Sequence, residues 1–263
     1  MKSLDAPAKI NLALAVGPLR PDGKHEVVTL LERIDLADRI SLEPGLALDV
    51  AGFPEDTLVR DALLALAALA GVDPHWSVEI DKQIPVAAGL GGGSSDAAAA
   101  LRLANETLPS PLSPERLHEV AAGLGADVPF FLTMGTQLGT GDGTTLEPVE
   151  LPRDHSVLLM LPDGATKPST ADVYAAFAGQ PGFDERRRRL LDALEVRDLA
   201  ALPPNDLASS PLAKDLLDAG AFRADVSGAG PTVYGLFADP ERASAARERF
   251  SAGCATWLAA PAW

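Results

Sequence analysis

The segment Pro85–Leu101, PVAAGLGGGSSDAAAAL, combines residue types and spacing suited to holding an anion. Gly89, Gly91, Gly92 and Gly93 let the backbone bend tightly and come close to a ligand. They lead into a helix-forming run that opens on Ser94, Ser95 and Asp96. Free N–H groups and the positive end of the helix dipole then face the loop. Serine hydroxyls there can bind phosphate or sit on a magnesium ion. The loop is neither G-x-x-x-x-G-K-[ST] nor G-x-G-x-x-G. A flexible loop with an ordinary serine cap is the plainer alternative, and four glycines within five residues, between a strand and a strong helix, weigh against it. A second feature lies at Ala8–Val16, where Ile10, Leu12, Leu14 and Val16 point one way and Lys9, Asn11, Ala13 and Ala15 the other. One cation and one amide share a face of otherwise small residues, which suits either a ligand or solvent.

The elements that position these residues follow from pattern. Ala8–Val16 reads as a half-buried strand, followed by a turn over Gly17–Gly23 and strand-like stretches at Val27–Leu31 and Arg39–Leu42. Glu55–Ala70 reads as a helix ended by Gly71, and Ser77–Ile80 as a short strand into the glycine-rich loop. The alanine-rich run Ser94–Leu108 reads as a helix. Ser113 with Pro114 starts another that stops at Gly123 or Gly125. Glu147–Asp154 reads as a linker, then an apolar strand at Ser156–Leu161, a helix capped by Ser169-Thr170 and running through Phe177, and a helix over Phe183–Leu194. Arg186–Arg189 on that last helix, beside Asp184, Glu185 and Asp192, read as a solvated face rather than a nucleic-acid patch. A tight turn at Ser227–Gly230, a strand at Thr232–Phe237 and a helix from Pro240 follow. Strands and helices without regular βαβ alternation predict an α+β protein in two parts divided near residue 150.

Composition narrows the function classes. The 263 residues are 47% hydrophobic and 22% charged, which is a globular composition. A net charge of −15 leaves no chain-wide basic footprint for nucleic acid. The single Cys254 excludes an internal disulfide and a cysteine-built zinc site, and His25, His75, His118 and His155 lack metal-ligand spacing. The opening MKSLDAPAKI does not read as a signal peptide, and Ala62–Val72 is too short to span a membrane. The expectation is a cytoplasmic protein with no membrane and no nucleic-acid partner.

The glycine-rich segment resembles the second motif of the GHMP kinases, a family of small-molecule kinases. The first and third motifs occur in order, Pro7-Ala-Lys-Ile-Asn-Leu12 and Ser227-Gly-Ala-Gly-Pro-Thr-Val233. Arg20–His25, Gly125–Phe131, Ser169–Tyr174 and Asn205-Asp206 further resemble one branch, the kinases of 4-diphosphocytidyl-2-C-methyl-D-erythritol. The resemblance implies ATP-dependent phosphorylation of the 2-hydroxyl of that CDP-methylerythritol in non-mevalonate isoprenoid precursor biosynthesis, with Mg2+. It also implies an N-terminal ATP-binding domain (1–150) like ribosomal protein S5 domain 2, a ferredoxin-like C-terminal domain (151–263), and substrate in the cleft between them.

Carried over residue by residue, Lys9 and Asp127 match the catalytic positions. A carboxylate accepts the proton of a poorly nucleophilic tertiary alcohol, and a lysine beside it offsets charge on the phosphoryl group. The plainer readings are a strand lysine and the N-cap of a short helix. The ATP site matches Pro85, Val86, Ala87, Ala88, Gly89, Leu90, Gly91, Gly92, Gly93, Ser94 and Ser95, with Lys82 as a nucleotide contact or a strand-end surface lysine. Ser95 is the candidate magnesium ligand. Asn11 and His25 match the cytidine-holding positions. Two departures stand out: Lys24 replaces the aromatic of Gly-Tyr-His, and Thr57 replaces an asparagine near the adenine site. Asp35 and Asp38 read as surface turn residues without a role. The alternatives are a GHMP kinase for another small alcohol, such as homoserine or mevalonate, and a catalytically silent nucleotide-binding sensor or scaffold.

Overall fold

The alternating segment around Lys9 is the middle of an 18-residue strand, β1 (Lys2–Leu19), and the two stretches expected after it form one 20-residue strand, β2 (His25–Pro44). These come from a computed structural model, which describes residues 1–54, 58–166, 169–177, 179 and 181–262. Thr57 lies outside the described residues. The chain divides into two units, each assembled from three stretches: Met1–Ala8, Leu36–Val86 and Gly91–Met134 in the first, Lys9–Asp35, Ala87–Leu90 and Gly135–Trp263 in the second.

In the first unit the C-terminal part of β2 pairs antiparallel with β4 (Trp76–Asp81), setting Ile40 opposite Ile80 and Leu42 opposite Val78. The short β3 (Asp49–Ala51) pairs parallel with β4. Helices α1 (Leu58–Ala70) and α2 (Gly92–Asn105) pack together; α1 buries Leu63 and Leu66 and α2 buries its alanine run, whose small side chains permit close approach. Helix α3 (Pro114–Leu124) begins at the expected Ser113 cap, and the five-residue α4 (Val128–Leu132) packs on α2 and α3.

The second unit carries β5 (Thr136–Gly141) paired antiparallel with the N-terminal part of β2, and β6 (Thr145–Val149) paired with β5. Its other sheet comprises β7 (Ser156–Pro162), β8 (Arg223–Val226), β9 (Val233–Phe237) and β10 (Cys254–Ala259) in the order β10-β7-β9-β8, all antiparallel. Helices α5 (Thr170–Ala176) and α6 (Phe183–Glu195) follow β7, α7 (Pro211–Asp218) precedes β8, and α8 (Pro240–Phe250) joins β9 to β10. The path β7-α7-β8-β9-α8-β10, in a sheet that runs fourth, first, third, second, is the expected ferredoxin-like arrangement. Leu158, Met160, Leu216, Val233, Phe237, Ala243 and Ala246 form its core under α7 and α8.

Several expectations are corrected. β1 is buried on both faces from Ala8 to Gly17, so the Lys9 face is not open to solvent. Glu147–Val149 belong to β6, so the expected linker begins as a strand. Arg187, Arg188 and Arg189 are exposed as expected, but Arg186 turns inward and ion-pairs with Asp206 at 2.8 Å. The helix after the glycine-rich loop starts at Gly92, not Ser94, because α2 takes its first turn from the glycines themselves. Among the described residues no helix is long and apolar enough to cross a membrane.

Candidate active site

Lys9 and Asn11 sit side by side on β1, only 4% and 5% exposed. A buried ammonium needs polar partners. Lys9 Nζ donates to Asn11 Oδ1 at 2.6 Å, and Asn11 Nδ2 donates to Thr29 Oγ1 at 2.9 Å. Thr29 in turn donates its only hydroxyl proton to the Ala13 carbonyl at 2.9 Å. That leaves Thr29 an acceptor toward Asn11, so the amide must present its NH2 to Thr29 and its oxygen to Lys9. The glycine-bearing turn expected at 227–230 reaches the same place. A Cβ added at Gly228 would lie 3.0 Å from Asn11 Oδ1 and 3.4 Å from Lys9 Nζ.

The same unit holds the start of the glycine-rich loop. The backbone N–H groups of Lys9 and Thr232 donate to the carbonyls of Leu90 and Ala88 at 2.9 and 3.2 Å. Ser227 Oγ donates to the Gly89 carbonyl at 3.0 Å. Gly89 has φ +84°, and a Cβ there would meet the carbonyl oxygens of Ser227 at 2.5 Å and Gly230 at 2.7 Å. Only glycine fits that approach. Pro85 and the exposed Val86 precede this stretch, and Ala87 also has a positive φ of 56°. The first and third sequence motifs thus meet the first half of the second.

The second half belongs to the first unit. Gly91, in left-handed conformation, is the N-cap of α2 and supplies no side-chain cap, so the first-turn N–H groups of Gly92, Gly93 and Ser94 lack that partner. Ser95 is 1% exposed, and its hydroxyl makes no hydrogen bond. Among the described residues no three His, Cys, Asp or Glu side chains group as a metal cage. An orphaned hydroxyl at the start of α2 fits a magnesium ion held otherwise by ATP phosphates and water.

Beside this turn lies a cluster that sequence reasoning missed. Lys82 bridges Asp38 at 2.5 Å and Asp96 at 2.7 Å, and a Cβ at Gly92 would lie 3.2 Å from Lys82 Nζ. Asp38 is fully buried rather than a surface turn residue. Its other oxygen accepts the N–H groups of Gln83 and Ile84, fixing the chain as it leaves β4. Its parity with the inward-facing Ile40 and Leu42 on β2 is the signal that marks it. Asp35 is exposed as expected and accepts from the Ala260 N–H at 2.8 Å. Burial pushes the Asp96 carboxyl up, the Lys82 ammonium opposes and Asp38 adds to the rise, leaving it at about 7. Burial alone would lower the Lys82 ammonium, but Asp96 and Asp38 outweigh it and raise it. Lys82 is therefore an ion-paired bridge at the loop, not a loose surface lysine.

Asp127 is half-buried at the N-cap of α4, with no capping hydrogen bond from its side chain. The position matches the plainer reading, while the bond that reading calls for is not made. Lys9 belongs to the second unit and Asp127 to the first. His25 opens β2, where its Nδ1 and the Gly17 carbonyl are 2.9 Å apart. Phe177 meets the imidazole edge-on at a centroid distance of 5.6 Å, and Tyr174 lies tilted at 6.2 Å. A cavity of about 510 Å³ adjoins, lined by Gly17, Pro18, Glu26, Gly182, Phe183 and Asp184. Lys24, in the place of an aromatic, ion-pairs with Asp142 at 2.7 Å.

Comparison with known proteins gives this geometry a context. Residues 57–135 match the model of the GHMP kinases N terminal domain, and residues 191–256 that of the GHMP kinases C terminal. The chain is 40% identical to the 4-diphosphocytidyl-2-C-methyl-D-erythritol kinase of Pelotomaculum thermopropionicum, over 93% of this chain and 92% of that one. It is 39% identical to the enzyme of that name from Geobacter metallireducens, over 94% of each. A crystal structure of 4-(cytidine 5'-diphospho)-2C-methyl-D-erythritol kinase superposes with a TM-score of 0.81 at 30% identity, covering both chains fully. A homoserine kinase from Cytophaga hutchinsonii shares the fold, with a TM-score of 0.74 at 17% identity over 100% of this chain and 95% of that one.

Proposed function

The chain belongs to the GHMP kinases, in the branch of 4-diphosphocytidyl-2-C-methyl-D-erythritol kinases, and from that membership we propose that it transfers the γ-phosphoryl group of ATP to the 2-hydroxyl of 4-diphosphocytidyl-2-C-methyl-D-erythritol. The observation that carries the reading is the buried Lys9–Asn11 pair against the Gly228 turn, with the glycine-rich loop hydrogen-bonded to the same strand. The alcohol oxygen forms its bond to the γ-phosphorus, the bond to the β-phosphate bridging oxygen breaks, and ADP leaves. Asp127, at the position that matches the family's acidic catalytic residue, takes the hydroxyl proton. Lys9, oriented by Asn11, stabilises charge on the transferring group.

ATP lies along Pro85–Ser95, with Lys82 at the nucleotide, and its phosphates face the N-terminal turn of α2. Ser95 would hold a magnesium ion, which would supply neutralisation of the phosphate charge. Asn11 and His25 hold the cytidine, with Phe177 and Tyr174 orienting the imidazole. The division of labour proposed is ATP binding within 1–150 and a C-terminal domain within 151–263; the matched segments 57–135 and 191–256 fall inside those bounds. The substrates are water-soluble phosphates, so the enzyme acts in the cytoplasm, supplying non-mevalonate isoprenoid precursor synthesis.

ADP release from ATP, Mg2+ and the CDP-linked alcohol tests the reading, with Asp127→Asn and Lys9→Ala in parallel. Wild type turns over, and Asp127→Asn loses about 10²- to 10⁴-fold in kcat. A folded wild type that binds ATP without turnover overturns the assignment and leaves another alcohol acceptor or a silent nucleotide binder.

A further inference from the structure

We propose that Asn205 is a positioning residue for the transfer step: it seats the Gly228 turn against Lys9 and Asn11 and so fixes where the ammonium sits. The inference rests on the kinase reading above, and every residue it uses lies in the second unit. Asn205 is 8% exposed. Its Nδ2 donates to the carbonyls of Val226 at 2.9 Å and Gly228 at 2.6 Å, tying the end of β8 to the turn beyond it. Its Oδ1 accepts the Leu207 N–H at 2.9 Å, and its own N–H donates to Asp225 Oδ2 at 2.9 Å. Asp225 accepts the Val226 N–H through its other oxygen at 2.8 Å. An amide rotated by half a turn would set its oxygen against two carbonyls, so the side chain has one orientation.

The turn held in this way is the wall beside the Lys9–Asn11 pair. A carbon added at Gly228 would crowd Asn11 Oδ1 at 3.0 Å, so that the amide would have to give way. Ser227, its neighbour, binds the β1 strand at the Asn11 N–H (3.4 Å) and the glycine-rich loop at the Gly89 carbonyl (3.0 Å). A shift of the Gly228 carbonyl therefore moves the wall that confines the ammonium. The hydrogen bonds of Asn205 run to Val226, Gly228, Leu207 and Asp225, so its proposed effect runs through the turn.

The test is a double-mutant cycle on kcat. Asn205→Ala removes both donors, and Asn205→Asp keeps the volume while setting an acceptor against the two carbonyls. If the alanine variant does not fold, the aspartate variant carries the test. Asn205→Ala should lower kcat by about 10- to 100-fold, as misplacement of a reacting group by about 1 Å does. In a Lys9→Ala background the same change should alter residual kcat by no more than about 2-fold. A full effect that persists without Lys9 overturns the proposal. A second readout needs no turnover: acylation of Lys9 by an amine-reactive ester, followed by mass spectrometry. Folded Asn205 variants should label Lys9 faster than wild type, while Leu216→Ala, a core cavity elsewhere in this unit, should not. Equal labelling overturns the proposal, whereas absent wild-type turnover with faster labelling overturns the kinase reading alone.

Discussion

Replacing Gly89 by alanine sets a methyl carbon 2.5 Å from one carbonyl oxygen and 2.7 Å from another, both backbone atoms that cannot rotate away. The residue also sits at φ +84°, where an L side chain costs about 1–2 kcal/mol. Relief requires the Ser227–Gly230 turn to retreat. That retreat breaks the Ser227 Oγ to Gly89 bond and the Thr232 to Ala88 bond, each worth about 1 kcal/mol. The sum is about 3–4 kcal/mol, which for a chain of this size lowers the thermal midpoint by roughly 6–16 °C. Gly93 in the same motif is the control. A Cβ there meets nothing within 4 Å, and in the first turn of α2 alanine is favoured over glycine by up to about 1 kcal/mol. Thermal melts followed by circular dichroism separate the two: Gly89→Ala should melt far below wild type and Gly93→Ala at or above it. Coincident melts for Gly89→Ala and wild type would refute the close approach of turn and loop.

Asp96 predicts a pH dependence. Its folded value of about 7 lies above the ordinary 3.8, so the folded state holds a proton that the unfolded chain has released. Its contribution to stability is complete below that ordinary value and is lost as pH rises through about 7. Asp96→Asn should flatten the fall in melting temperature between about pH 5 and about pH 8, and parallel profiles would contradict the buried cluster. Lys24→Ala breaks an ion pair whose lysine is 56% exposed; it should change stability by less than about 1 kcal/mol and leave KM for the CDP-linked substrate within about 2-fold, as substrate titrations would measure. Arg223 donates from the interior to the carbonyls of Leu12, Leu202 and Pro203; Arg223→Met should cost about 3–5 kcal/mol in urea denaturation, because it strands those acceptors.

The family motifs are legible because their glycines and polar residues stand where a plain strand or helix would not need them. Lys9 and Asn11 on a face of alanines, and four glycines before a helix, are such departures. The ferredoxin-like arrangement came from resemblance, since periodicity cannot order strands. Strands β3, β6 and β8 are too short to show alternation, and β5 carries Gly139 and Gly141, which read as turn. Asp38 was misread because an aspartate near other charges looks solvated, although its parity with Ile40 and Leu42 points inward. Arg186 was misread because four successive arginines look uniform, while helical geometry turns one of them toward Asp206. Asn205 is marked only by the resemblance, and its bonding is invisible locally: its partners at Val226 and Gly228 lie some twenty residues ahead, and only the fold brings them to it.

The interleaving of the two units bears on how the chain is made. Every stretch of the first unit has been synthesised once Met134 is in place, whereas Lys9–Asp35, which carries the buried run from Lys9 to Gly17, belongs with residues from Gly135 onward. At about 5–20 residues per second, synthesis of the remainder takes roughly ten seconds. Throughout that interval the strand bearing Lys9 has β2 as its sheet partner, while β5, β6 and the whole four-stranded sheet of its own unit are not yet translated. Nascent chains arrested near residue 134 would present that strand to chaperones, and codon pausing there would lengthen the exposure.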